Sequence, residues 1–166
     1  MRNTQQSPSS IDQQQAWNFA LSLYEQHELA KTCLFLQDNY DFNVNLLLLY
    51  TFCDLHQISL TTADIVTINN VCKDSVEEIK LHRKKRQQAK SRDQILYANL
   101  LQQEVQLELT QHRVIVRELN SILRCKVRLH LAGKKTLKRY LATGLENETQ
   151  ISFFSDLFLN ALTDVN

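Results

Sequence analysis

Glu104, Glu108 and His112 follow one another at intervals of four residues. On a helix that spacing sets them along one line of the surface. Carboxylate and imidazole are the ligands of carboxylate-bridged di-iron sites in helical bundles, which use Glu-x-x-His from paired helices. Here the histidine follows Glu108 at four, and no second helix carries the motif. Arg83 and Arg86 offer the two glutamates other partners. They lie at i and i+3 on the preceding helical stretch. A short connection over 88–93 would make the two stretches antiparallel neighbours. Guanidinium and carboxylate could then meet bidentately, in a network that specifies packing rather than performing chemistry.

A second oxygen-rich group lies earlier, at Asp38, Asp41, Asn43 and Asn45. A calcium loop of the EF-hand kind needs oxygens at alternating positions, a central Gly and a late Glu. That pattern is incomplete, and the other reading is capping and side-chain bonds that fix a turn. Gln37 and Asn45 stand beside apolar residues, so both are expected to be buried and bonded to backbone. Such a group costs ~1–3 kcal/mol if left unsatisfied. No metal or cofactor is expected. No Gly-rich phosphate loop, nucleophile elbow or metalloprotease helix occurs, and no residue set nominates a reaction.

The charges divide along the chain. Residues 1–78 carry 3 basic and 10 acidic side chains, and residues 79–166 carry 16 basic and 8 acidic. Lys80, Arg83, Lys84, Lys85, Arg86, Lys90 and Arg92 run without an intervening acid, and residues 113–139 add nine basic groups against Glu118 alone. A basic face over 80–92 and 113–139 would suit an anionic partner. It lacks the interleaved aromatics that stack bases. The plainer reading is a solvated face partly neutralised by the acidic half.

The elements that must position these groups read as helices. Two Gly and one Pro among 166 residues are too few for a sheet rich in tight turns, while Leu, Gln, Glu, Lys and Arg favour helix. The expected fold is all-α: one compact multi-helix bundle, with a long helix near 94–125 and a short C-terminal helical extension. Residues 1–10 read as a flexible tail, 11–130 as the bundle, and 131–166 as the extension, docked on it or used for self-association. Ser10 or Asp12 is placed to cap a first helix running to about His27. Its Trp17, Leu21 and Tyr24 share a face, with Trp17 and Tyr24 as core anchors first and ligand-stacking residues second.

A helix over about 29–38, a polar turn, and a helix over about 44–56 follow, capped by Asp41 or Asn43. Leu34, Leu47 and Leu48 are expected in the core. Thr61 or Thr62 opens the next helix, with Asp64 in its first turn. Asp74 and Ser75, followed by Glu77 and Glu78, resemble a further cap, and a separate helix is expected from near Val76. Ser91 or Asp93 restarts helix for the stretch 94–125. There Leu101, Val105, Leu109, Val116, Leu119 and Leu123 form an apolar stripe interrupted by His112, widened by Leu100, Leu107 and Val114. Past Gly133, helices are expected over about 134–143 and 148–163, the second capped by Asn147. Phe153, Phe154, Leu157, Phe158 and Leu162 give the last an aromatic strip, for docking or self-association.

No segment approaches the ~20 apolar residues of a membrane span, and the N-terminal ten residues lack an apolar signal region. None of Cys33, Cys53, Cys72 and Cys125 belongs to a C-x-x-C pair. Buried free thiols in a reducing cytoplasm are expected.

Trp17 and Tyr24, then Cys33, Leu34, Leu36, Gln37 and Asp38, then Val44, Asn45, Leu47 and Leu48 form a recognisable string. With Arg83, Arg86, Glu104 and Glu108, it resembles an uncharacterised bacterial family of small helical proteins, over roughly residues 10–125. In that family a proline usually precedes the arginine pair and a tryptophan lies upstream. Here Leu81 and a stretch without Trp take those places. The resemblance implies an α-helical cytoplasmic domain and supplies no activity. The expected function is a helical protein-interaction module, with a nucleic-acid-associated protein as the alternative and an enzyme as a third class. The polar residues nominated for binding or structure are Gln37, Asp38, Asn45, Arg83, Arg86, Glu104 and Glu108. Lys80, Lys84, Lys85, Lys90 and Arg92 are the nominated basic surface. Phe153, Phe154, Leu157 and Phe158 are nominated for self-association.

Overall fold

A computed structural model describes residues 10–125 and 135–165. The expected flexible tail, apart from Ser10, and Gly133 with the middle of the second basic segment lie outside the described residues. The order is α1 (Gln13–Tyr24), α2 (His27–Tyr40), α3 (Val44–Leu55), α4 (Thr62–Ala89), α5 (Gln94–Cys125), α6 (Thr136–Leu141) and α7 (Glu148–Asn160), closed by a 3-10 turn. No strand occurs among the described residues, and none of their helices is long and apolar enough to cross a membrane.

The capping chemistry is local. Asp12 accepts the Gln15 N–H at 2.7 Å to start α1, and Asn43 accepts the Leu46 N–H to start α3. Thr61 and Asp64 form a capping box at the head of α4, and Asp93 accepts the Leu96 N–H to start α5. Each satisfies backbone donors that a helix terminus leaves open. α2 stops at Asp41, which adopts a left-handed φ of 60°.

α3 is the central element. Every residue from Asn45 to Asp54 is buried, and Leu47 and Leu48 lie in the core. At its end the buried Asp54 carboxylate accepts the backbone N–H groups of Thr136 and Leu137, at 2.8 and 3.2 Å. It therefore caps α6 from another helix, a favourable use of a carboxylate at a helix N-terminus. Gly144 follows α6 where a side chain would collide with the ring of Phe42, 2.8 Å from the position a Cβ would take.

Several expectations change. Leu34 is 44% exposed, because α2 turns Leu29, Cys33 and Leu36 inward and Leu34 points about 100° away from Cys33. α1 buries Ala16, Ala20 and Leu23 rather than the line of Trp17, Leu21 and Tyr24. Alanines let it lie close on α3, so Leu21 is left half-exposed and Tyr24 about a third exposed. Trp17 is half-buried, edge-on to His112 at 5.1 Å between ring centres. No new helix starts at Val76. The Ser75 hydroxyl donates back to the Cys72 carbonyl at 2.8 Å, an i−3 bond that leaves the helix intact, so α4 continues for 28 residues. The stripe on α5 is buried only in its second half. Val116 and Leu119 are core, whereas Leu101 and Val105 are exposed. α7 buries Ile151, Phe154 and Phe158, leaving Phe153 and Leu157 outside. Phe154 and Phe158 are thus withdrawn from a self-association surface.

Candidate functional site

α4 and α5 form the antiparallel pair that the short connection requires, with Ser75 facing Gln111, Arg83 facing Glu108 and Arg86 facing Tyr97. Arg83 donates from Nε to Glu104 Oε1 at 3.1 Å and from a terminal nitrogen to Glu108 at 3.2 Å. Its other terminal nitrogen donates to Gln37 Oε1 of α2 at 2.7 Å. Arg86 donates from Nε to Glu104 Oε2 and from a terminal nitrogen to Glu104 Oε1 at 3.3 Å. Its guanidinium lies over the Tyr97 ring, 5.7 Å from the centroid.

The two glutamates differ electrostatically. Burial raises the Glu104 carboxyl, but the hydrogen bonds from Arg86 and Arg83 outweigh it and hold the pKa below the usual carboxylate range. Glu108 is raised, because burial outweighs its attraction to Arg83 and Glu104 adds repulsion. Tyr24 is raised by burial, with Cys33 and Glu108 adding to it.

A chain of amides continues the cluster. Asn43 and Asn45 both donate to Gln111 Oε1, at 3.0 and 2.9 Å, and Gln111 donates to Ser75 at 2.9 Å. Asn45 is buried and also approaches the Glu108 carbonyl at 3.3 Å. A cavity of about 40 Å³ lies beside these groups, lined among others by Gln37, Asn43, Lys80 and Arg83. The amide nitrogen of Gln37 is buried without a hydrogen-bond partner among the described residues. Gln37 is only partly buried, and its bond is to Arg83 rather than to backbone.

Six of the nominated polar residues therefore meet: Gln37, Asn45, Arg83, Arg86, Glu104 and Glu108. Asp38 does not; it is exposed on α2. The turn oxygens do not converge either. Asp41 binds Lys80 at 2.6 Å, Asn43 caps α3, and Asn45 bonds α5. Among the described residues no group of three or more His, Cys, Asp and Glu is arranged to hold a metal. His112 stands against Trp17, away from the glutamates' arginine partners. Burial pushes it down to about 4. Neither ring nitrogen has a well-formed bond among the described residues, and the weak pull of the Gln13 backbone does not offset burial. Cys33, Cys53 and Cys72 are buried free thiols and Cys125 is exposed; burial pushes Cys33 up to about 12, far from a reactive thiolate.

Of the basic residues, Lys80 is held by Asp41 and Glu77. Lys84, Lys85, Lys90 and Arg92 are exposed at the outer end of the α4–α5 hairpin. In the second basic segment Arg139 donates to Ser59 and the Leu60 carbonyl.

Three participants are not visible in motif reasoning: Gln111, Tyr97 and Asp54. Gln111 lies seven residues beyond Glu104, on the same helical side, and that spacing is its signal. Tyr97 lies seven residues before Glu104 and shares that signal, whereas Asp54 carries no such mark, its partners being 82 and 83 residues away. The outer surface of α5 also escapes motifs. From Gln94 to His112 the only acidic or basic side chains besides His112 are Glu104 and Glu108. Both turn inward to the arginines. The exposed part of this stretch is Gln, Asn, Thr and aliphatic, and an open groove along it is lined by Leu101, Gln102, Val105 and Gln106 of α5 with Glu78 and His82 of α4.

A family model described as "Protein of unknown function (DUF2390)" matches residues 15–119. The match spans the string from Trp17 to Glu108 and agrees with the resemblance to an uncharacterised family. No curated protein and no solved structure matches the chain.

Proposed function

We propose that this chain, which belongs to the DUF2390 family of proteins of unknown function, is a helical protein-interaction module of the cytoplasm without catalytic activity. The observation that carries the reading is the uncharged outer face of α5. Ile95 is 78% exposed and Leu101 42%. Protein surfaces normally carry both signs of charge interspersed, whereas the centres of protein interfaces are depleted of charge. The buried ion cluster beneath supports the same reading. It holds α4 against α5 where few apolar contacts do, and so gives a partner a rigid surface.

The second reading is a nucleic-acid-associated protein. The exposed Lys84, Lys85, Lys90 and Arg92 favour it. It is the weaker one because Arg83 and Arg86 are consumed internally, and Tyr97 lies under Arg86 rather than free to stack a base.

The test places a photo-crosslinking amino acid at Gln102 on the α5 face and, separately, at Lys84. Protein adducts from Gln102 that persist after nuclease treatment support the interaction module. Adducts from Lys84 alone that vanish with nuclease transfer the function to the basic end.

A further inference from the structure

Away from α4, the outer half of α5 has no cover among the described residues, although its second half does. α1 runs antiparallel along α5. Ile11 donates its N–H to Asn120 at 2.7 Å, Trp17 meets His112, and Tyr24 reaches the level of Glu104 and Glu108. There α1 ends, and α2 starts at His27. The apolar line continues: Leu119, Val116 and His112 are buried, but Val105 and Leu101 are exposed. The helix is patterned for a neighbour over its whole length, and the chain's described residues supply one for only part of it.

We infer that a second copy of this chain covers the outer half of α5, with the two α5 helices antiparallel. The inference rests on the interaction-module reading and names the partner. Charge decides first. Over 94–112 the exposed side chains of α5 itself are neither acidic nor basic, with Glu78 of α4 the acid on the adjoining groove, so an identical α5 face meets it with little repulsion. The side chains match as well. Asn99, Gln102, Gln103 and Gln106 each carry both donor and acceptor groups, so a row of them satisfies a copy of itself. A two-fold contact demands this self-complementarity. Two such hairpins side by side make a four-helix bundle, in which Leu101 and Val105 become core.

The direction follows from the ends. Lys84, Lys85, Lys90 and Arg92 crowd the outer end of the hairpin. A parallel pair would bring eight like charges together, whereas an antiparallel pair sends the two basic ends to opposite ends of the contact, avoiding the repulsion that like charges would add.

The full chain is to be measured by sedimentation velocity over a concentration series reaching roughly 0.1 mM, far above a micromolar dissociation constant. The expected species has twice the mass of one chain. Leu101→Glu and Leu101→Lys, both at an exposed position, should each sediment as a monomer of unchanged melting temperature, and mixing the two should restore the double mass. A variant that merely failed to fold would not be rescued by mixing. In a Cys125→Ser background, Gln102→Cys near the middle of the face should oxidise to a linked dimer, whereas Gln94→Cys at its end should not. A wild-type monomer throughout, or a dimer indifferent to both Leu101 variants, overturns the inference. If the chain is monomeric yet the crosslinker at Gln102 still captures a different protein, the self-pairing fails and the interaction module survives. If nothing is captured, both fail.

Discussion

α3 and the α4–α5 contact solve the problem of helix packing in opposite ways. α3 is surrounded, and it buries Leu46, Leu47, Leu48, Leu49 and Tyr50 in succession. A surrounded helix needs no polar face, and burial of apolar surface does most of the holding, with Asn45 and Asp54 bonded at its two ends. The α4–α5 hairpin beyond the bundle has neighbours on few sides. Its inner face relies on Arg83, Arg86, Glu104 and Glu108 with few buried apolar residues, Ile79 and Ala89 among them. Apolar packing is strong and tolerant of shape. Bidentate ion pairs are directional, and in this hairpin they set the rotation and register of two long helices. The outer face of α5 can be spared for another purpose, because the hairpin does not depend on it.

The largest expected effect comes from breaking the directional side of the comparison. Glu104→Ala leaves two guanidiniums without their shared carboxylate and should cost ~3–5 kcal/mol, as expected for removing one partner of a buried ion pair. Urea denaturation measures it. A loss below ~1 kcal/mol would mean that water already serves the arginines.

Leu47→Ala attacks the apolar side and should cost ~2–5 kcal/mol in the same assay. The two losses differ in kind. Raising the salt concentration should leave the Leu47 loss unchanged, while any exposed share of the ion cluster would weaken.

His112 is a titratable group inside an otherwise apolar contact between α1 and α5. Its pKa near 4 in the folded chain lies below the ~6.5 of an unfolded one. The unfolded chain therefore takes the proton first. The contribution is fully present above about pH 6.5 and is lost as pH falls toward 4, by up to about 3 kcal/mol. Glu108, raised by burial, acts in the opposite direction over the lower part of this window. The informative quantity is the stability difference between wild type and His112→Gln across pH. A difference that stays flat from pH 7 to 4 contradicts the assignment.

The smallest effect is expected at Lys84, exposed beside Arg83. Lys84→Ala should move stability by no more than ~0.5 kcal/mol, while Arg83→Ala should move it several-fold further. Thermal melts of the two variants decide whether neighbouring cations on one helix play different roles. Equal small shifts would return Arg83 to the basic surface.

Much of this architecture was present in the sequence because it is set within a turn or two of chain. The caps at Asp12, Asn43, Thr61, Asp93 and Asn147, the long helix 94–125 and the burial of Leu47 depend on local backbone donors and on periodicity. The partnership of the arginines with Glu104 and Glu108 was legible too, since a short connection forces antiparallel neighbours and spacing aligns the charges. Tertiary structure alone decided where each stripe ends. Leu101 and Leu119 have the same type and lie on the same helical line, and only the point at which α1 stops leaves one exposed and the other buried. Leu34 lost its expected place because burial belongs to whichever face meets a neighbour. Val76 began no helix because a serine hydroxyl can bond its own helix as readily as cap the next. Asp54 reached α6 from 82 residues away in sequence, and no local pattern records a bond of that range.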